Sequence, residues 1–225
     1  LDRYGDWVTW EPFKSENRLP NGHCVIVGQS GSGKTYMIER LMAPQVIQGG
    51  AQIFALEFND EFDNSDILKH DGATRVNAMA GMDFNPLAIV REEHDGYYDV
   101  INHVYAFADV LDSTFSLGIQ QVSKLRKAMR NLYSDYGIDM VSDFSNDDPI
   151  VWPEFSELRQ AIEDIPSSNE LLGRIEVLFD TGVFRGRNGT MKDLLSNTTV
   201  VGLKNLPGER VQHAVSGLLL RGVYS

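Results

Sequence analysis

Gly28-Gln29-Ser30-Gly31-Ser32-Gly33-Lys34-Thr35 fits the pattern G-x-x-x-x-G-K-S/T at every fixed position. Glycine at 28, 31 and 33 permits backbone angles and close approach that a Cβ would forbid. Such a loop aims successive backbone N–H groups at phosphate oxygens, assisted by the positive end of the helix that follows. Lys34 then reaches the β- and γ-phosphates and the Thr35 hydroxyl ligates Mg²⁺. Gln29, Ser30 and Ser32 complete the cradle through their backbone. The motif therefore predicts a site for a nucleoside triphosphate, ATP or GTP, with Mg²⁺.

The flanks agree with the motif. His23-Cys24-Val25-Ile26-Val27 is short, apolar and β-branched, which predicts a buried parallel strand. After the loop, Met37, Ile38, Leu41 and Met42 share a helical face, and Pro44 is expected to end that helix. Gln52–Phe58 reads as the next strand, making a β–α–β unit with the phosphate loop at its first turn. Ligands of such units sit at the carboxyl ends of the strands, where Glu57 falls, with Asp60 and Glu61 just beyond.

Further along, Trp7–Trp10 and Thr74–Val76 read as short strands. Between about Tyr97 and Phe179 helical periodicity takes over. Val100, Val104, Phe107, Val110 and Leu111 share one face, and Val122, Leu125, Met129 and Leu132 another. Trp152-Pro153-Glu154 and Ser167-Ser168-Asn169 mark helix starts. A strand resumes at Thr198–Leu203, and a helix carrying Val211, Val215, Leu218 and Leu219 follows.

Composition sets limits. The chain has 225 residues, 20 Lys+Arg against 32 Asp+Glu and a formal charge of −12, which excludes a protein that coats nucleic acid with its whole surface. No apolar run approaches the roughly 18 residues of a membrane span. The lone Cys24 forms no internal disulfide, so a cytoplasmic location is expected. The start at Leu1 and the stop at Ser225, inside an apolar pattern, suggest part of a longer protein.

In order along the chain, the phosphate loop, Glu57-Phe58-Asn59-Asp60-Glu61-Phe62, Phe84-Asn85-Pro86-Leu87, the helical tract and the return strand at Val200-Val201 resemble the HerA/FtsK superfamily of ring-forming DNA-pumping ATPases. The nearest likeness is to the HerA-like branch and the related type IV secretion ATPases. The resemblance implies an α/β fold: a RecA-like P-loop NTPase core with a parallel sheet and a mostly helical insertion. On that plan residues 1–96 form the first part of the core, 97–196 the helical insertion, and 197–225 the return to the core, stopping before the Walker B strand. It also implies ATP hydrolysis with Mg²⁺, a homo-hexameric ring that moves DNA by pore loops, and accessory nuclease, defence or transfer proteins as partners. Two departures stand out: Glu57 replaces an Asp, and no apolar strand ending in Asp-Glu follows the insertion.

Lys34, Glu57, Glu61 and Arg174 are the catalytic candidates, Arg174 as a cation supplied across a subunit boundary, with Arg185 and Arg187 beside it in that role. For Glu57 a functional and a purely structural role are equally supported; for the arginines an ordinary surface role is favoured. The loop Phe184–Gly189 has the composition of a flexible basic segment. Lys124, Arg126, Lys127 and Arg130 cluster on one helix, and a solvated face is favoured over a nucleic-acid contact. Two other classes stay open: a non-hydrolysing ATP-binding assembly module and a small-molecule or nucleotide kinase.

Overall fold

The structure, a computed structural model, describes residues 25–62, 65–69, 72–89, 98–138 and 150–223. The expected strand at Trp7–Trp10, and His23 and Cys24 of the strand before the loop, lie outside these residues.

Three strands, β1 (Phe54–Glu57), β2 (Thr74–Asn77) and β3 (Thr199–Gly202), form a parallel sheet in the order β1-β3-β2. Leu56 and Val76 both align with Val201 in the register. The central strand is buried along its whole length. That explains its Thr-Val-Val-Gly sequence, since a parallel strand covered on both faces has no polar side to show. Adjacent side chains go to opposite faces. Val201 joins the main core, whereas Val200 packs with Ala43 and Ile67 in a small separate cluster.

The segment before the phosphate loop departs from expectation. Its described part, residues 25–27, forms no strand, and Val25 and Val27 are 83% and 84% exposed. Among the described residues no strand pairs with it, so its β-branched side chains have no ladder to extend and no layer to pack on. The partner of β1 is β3 instead.

The helix after the loop also differs. Residues 34–48 run as α1 (Lys34–Met37), a π turn (Ile38–Met42) and α2 (Ala43–Gln48), so Pro44 does not end the helix. Pro44 sits in the first turn of α2, directly after the wider π turn, a position where proline's missing N–H is tolerated. The expected apolar face is largely open: Met37 is 43% and Leu41 56% exposed.

Between β2 and β3 the chain is mainly helical: α3 (Val100–Phe115), α4 (Ile119–Asp135), α5 (Phe155–Glu163), α6 (Asn169–Asp180) and the short α7 (Met191–Leu194). After β3 comes α8 (Glu209–Val223), which packs on α3. The α3 and α4 faces expected from periodicity are buried, apart from the half-buried Val110. α5 starts where Trp152-Pro153-Glu154 predicts, closed by a reciprocal Glu154–Glu157 capping box.

Asn85 ties the strands to the helices. It is fully buried, its amide donates to the carbonyls of Pro153 (2.9 Å) and Arg187 (2.6 Å), and its Oδ1 accepts from Leu87 N–H (2.9 Å). The Phe184–Gly189 loop is likewise built into the core rather than free. Phe184 bridges Met82, and Gly189 lies so close to Asp83 that a Cβ there would fall 2.2 Å from its carbonyl oxygen. Its glycines are there for close packing.

Candidate functional site

The phosphate loop has the backbone its sequence demands. Gly31 and Gly33 take φ values of 78° and 84°, a region that side-chain-bearing residues avoid. Ser32 N–H closes the turn on the Gln29 carbonyl at 3.1 Å, and Met37 N–H bonds Gly33 as the helix begins. The loop from Gly28 to Gly33 is exposed. Lys34 folds back along it, its Nζ donating to the Gly28 and Gln29 carbonyls at 2.9 Å each. The ammonium is thus held in the mouth of the loop by weak, replaceable acceptors.

The turn after β1 supplies the other half of the site. Glu61 accepts a hydrogen bond from the Thr35 hydroxyl at 2.5 Å, joining two residues 26 positions apart. This oxygen pair suits Mg²⁺, which takes one or two protein oxygens and leaves the rest of its shell to phosphate and water. Among the described residues no group of three or more His, Cys, Asp or Glu side chains is arranged to hold a metal by itself.

Glu57 points elsewhere. It is 3% exposed, its Oε1 accepts from Phe62 N–H, and its Oε2 lies 2.9 Å from Arg75 Nη2. The same guanidinium nitrogen is 3.2 Å from Asp60 Oδ1, and Asp60 Oδ2 is 2.7 Å from Lys204 Nζ. Glu57, Arg75, Asp60 and Lys204 therefore link β1, β2 and the end of β3 at their carboxyl edge. Residues Asp60 (as a site group), Arg75 and Lys204 were not among the sequence candidates. For Asp60 and Lys204 the signal was position, since both follow the carboxyl end of a parallel strand, where ligands of such sheets bind. Arg75 instead lies near the start of β2 and reaches Asp60 through its side chain.

Arg174 lies on α6, 2.9 Å from Glu170 Oε1 and donating to the Ser116 carbonyl at 2.9 Å. Arg185 donates to the Gly182 carbonyl, and Arg187 pairs with Glu154 at 2.7 Å. None of these contacts reaches the phosphate loop. On α4, Arg126 pairs with Asp109 at 2.7 Å and lies 4.1 Å from the centre of the Tyr105 ring, Arg130 donates to the Tyr105 hydroxyl, and Lys124 to the Ser167 carbonyl. Three of the four clustered cations thus brace the helical region itself.

No family model matches the chain, and no curated protein matches it. A solved structure does: that of VirB4 of Thermoanaerobacter pseudethanolicus superposes with a TM-score of 0.71 over 99% of this chain, at 19% sequence identity. The fold is RecA-like. This α/β architecture, a parallel sheet with many helices, is common to both chains. The chain spans 61% of the length of that VirB4 chain. The likeness is one of fold and does not single out the HerA-like branch. No helix among the described residues is long and apolar enough to cross a membrane.

Proposed function

We propose that this chain is the nucleotide-binding part of an ATPase motor, with ATP and Mg²⁺ at Gly28–Thr35. The observation that carries the reading is the meeting of the Thr35 hydroxyl with the Glu61 carboxylate beside a glycine loop whose mouth holds the Lys34 ammonium. When ATP enters, Lys34 exchanges two neutral carbonyls for phosphate oxygens, and the loop N–H groups bind the rest. Thr35 and Glu61 would hold Mg²⁺, which would supply positive charge against that developing on the transferred phosphoryl group. Glu57 acts through the turn, keeping Glu61 aimed at the loop.

The fold shared with VirB4, a type IV secretion ATPase, supports a motor of the secretion or translocase type. We extend the reading to a homo-oligomeric, hexameric ring in the cytoplasm that couples hydrolysis to DNA movement. In such a ring Arg174 would serve a neighbour's site only after leaving Glu170 and Ser116. One observation favours the non-hydrolysing assembly module as second reading: Glu57 is committed to Arg75 and Phe62 and does not face the loop.

The test is ATP turnover, with and without DNA, in the protein and in Lys34→Ala. The variant should lose at least about a hundredfold in rate, the usual effect of removing one charge-stabilising group from a phosphoryl-transfer site. DNA should raise the rate of the unaltered protein. Tight ATP binding with no turnover would defeat the motor and leave the assembly module.

A further inference from the structure

We infer that Lys204 is a second cation for the terminal phosphate of the bound nucleotide, held on Asp60 until that phosphate arrives. The inference rests on reading Gly28–Thr35 as a triphosphate site and adds to it a residue that distinguishes triphosphate from diphosphate.

The argument begins with topology. β3 is the central strand, and Gly202 at its carboxyl end is in register with Glu57 of β1 and Asn77 of β2. Leu203 N–H continues the ladder to the Glu57 carbonyl at 2.8 Å, so the backbone beside Lys204 is fixed to β1. Beyond the buried Leu203, Lys204 is therefore the first charged side chain past the central strand, at the edge where parallel sheets bind ligands.

Its partner connects it to the phosphate loop. The Lys204 ammonium lies 2.7 Å from Asp60 Oδ2, and the next residue, Glu61, holds the Thr35 hydroxyl at 2.5 Å. Asp60 has φ 52°, an uncommon value for a residue with a side chain. One short turn thus presents successive carboxylates to a strand-end cation and to the phosphate loop. Arg75 fixes the arrangement from β2 by bridging Glu57 and Asp60.

Electrostatics decides which way the ammonium goes. The Lys204 side chain is 54% exposed and that of Asp60 27%, so their pair is solvent-screened and weak. A γ-phosphate brings about two negative charges and several acceptor oxygens, against one charge on Asp60. Arg75 remains to neutralise Asp60 after Lys204 leaves it. ADP offers no such group, and with ADP bound the Asp60 pair persists.

Calorimetric titration of the whole chain with ADP and with a non-hydrolysable ATP analogue, both with Mg²⁺, tests the inference. Lys204→Ala should weaken analogue binding about tenfold while leaving ADP binding unchanged, and Lys204→Arg should restore most of the difference. Equal weakening for both nucleotides would assign Lys204 a structural role and overturn the inference, as would no effect on either. Lys34→Ala separates the two levels. If both nucleotides bind, depend on Lys34 and ignore Lys204, only the Lys204 inference fails. If neither binds the unaltered chain, the triphosphate reading fails and takes this inference with it.

Discussion

The two faces of β3 keep different company. Val201 looks into a continuous core shared by α3–α8, with Leu125, Leu158, Leu171 and Val215 among its fully buried members. Val200 looks into a small cluster with Ala43 and Ile67, edged by half-buried Ile53, Ala55, Phe62 and Leu68. The phosphate loop and helix 34–48 belong to the thin side. There Val25, Val27, Tyr36 and Leu41 stand more than half exposed. The thick side holds a shape, and the thin side carries the groups that exchange partners on the proposed function. Segments with little buried area open locally at small free energy, so such a face suits the exchange of carbonyls for phosphates proposed for Lys34.

The widest difference between the faces should appear in stability. Leu125 is fully buried in the middle of α4. Leu125→Ala removes that side chain from a dense core and should destabilise the fold by about 2–5 kcal/mol, the range for buried leucines. Urea unfolding followed by far-ultraviolet circular dichroism measures it. A loss below about 1 kcal/mol would mean that the helical core relaxes around the cavity and is not the rigid part of the molecule.

The thick side was also the more legible in the sequence. Helical periodicity found the buried faces of α3 and α4, and Trp152-Pro153-Glu154 marked the start of α5, because both signals are local. On the thin side the glycine loop alone was legible, since Gly31 and Gly33 announce positive φ by their type. What sequence could not supply was anything set by a distant partner. Asn85 stood out as part of an Asn-Pro step, but its task of joining Pro153 to Arg187 depends on chain more than sixty residues away. Of the strand expected before the loop, the described residues 25–27 form no ladder, because β-branched residues make a strand only beside another strand. Glu57 at a strand end left a functional and a structural role equally supported, and its pairing with Arg75, two strands over, could not be read from sequence.

A smaller difference should show with pH. His103 on α3 is buried, and its N–H donates to the Pro86 carbonyl. Burial first, and then the Arg221 guanidinium of α8, pull its pKa from 6.5 down to about 4, against the raising effects of the Pro86 carbonyl and Asp99. The folded protein therefore keeps this imidazole neutral where the unfolded chain would protonate it. Stability from this group is complete above the unfolded value and is lost as pH falls from about 6.5 toward 4. Between pH 7 and 4.5 the loss should be about 2 kcal/mol. His103→Gln should show a correspondingly shallower decline in urea stability over that interval. Parallel declines would mean that the side chain titrates normally and that the α3–α8 contact admits water.

The smallest effect belongs to the thin side and tests its structure most directly. Val27 is 84% exposed, with no strand beside it among the described residues. Val27→Thr keeps the β-branched shape and adds a hydroxyl. On an exposed segment that change should alter unfolding free energy by less than about 0.5 kcal/mol. Were the segment a covered strand of the sheet, the same hydroxyl would enter an apolar layer without a partner, at a cost of about 1–3 kcal/mol. One substitution of nearly constant volume thus separates an open approach to the phosphate loop from a packed one. If the larger value is found, the loop is anchored on both sides, and the freedom assigned to Lys34 must come from its side chain alone.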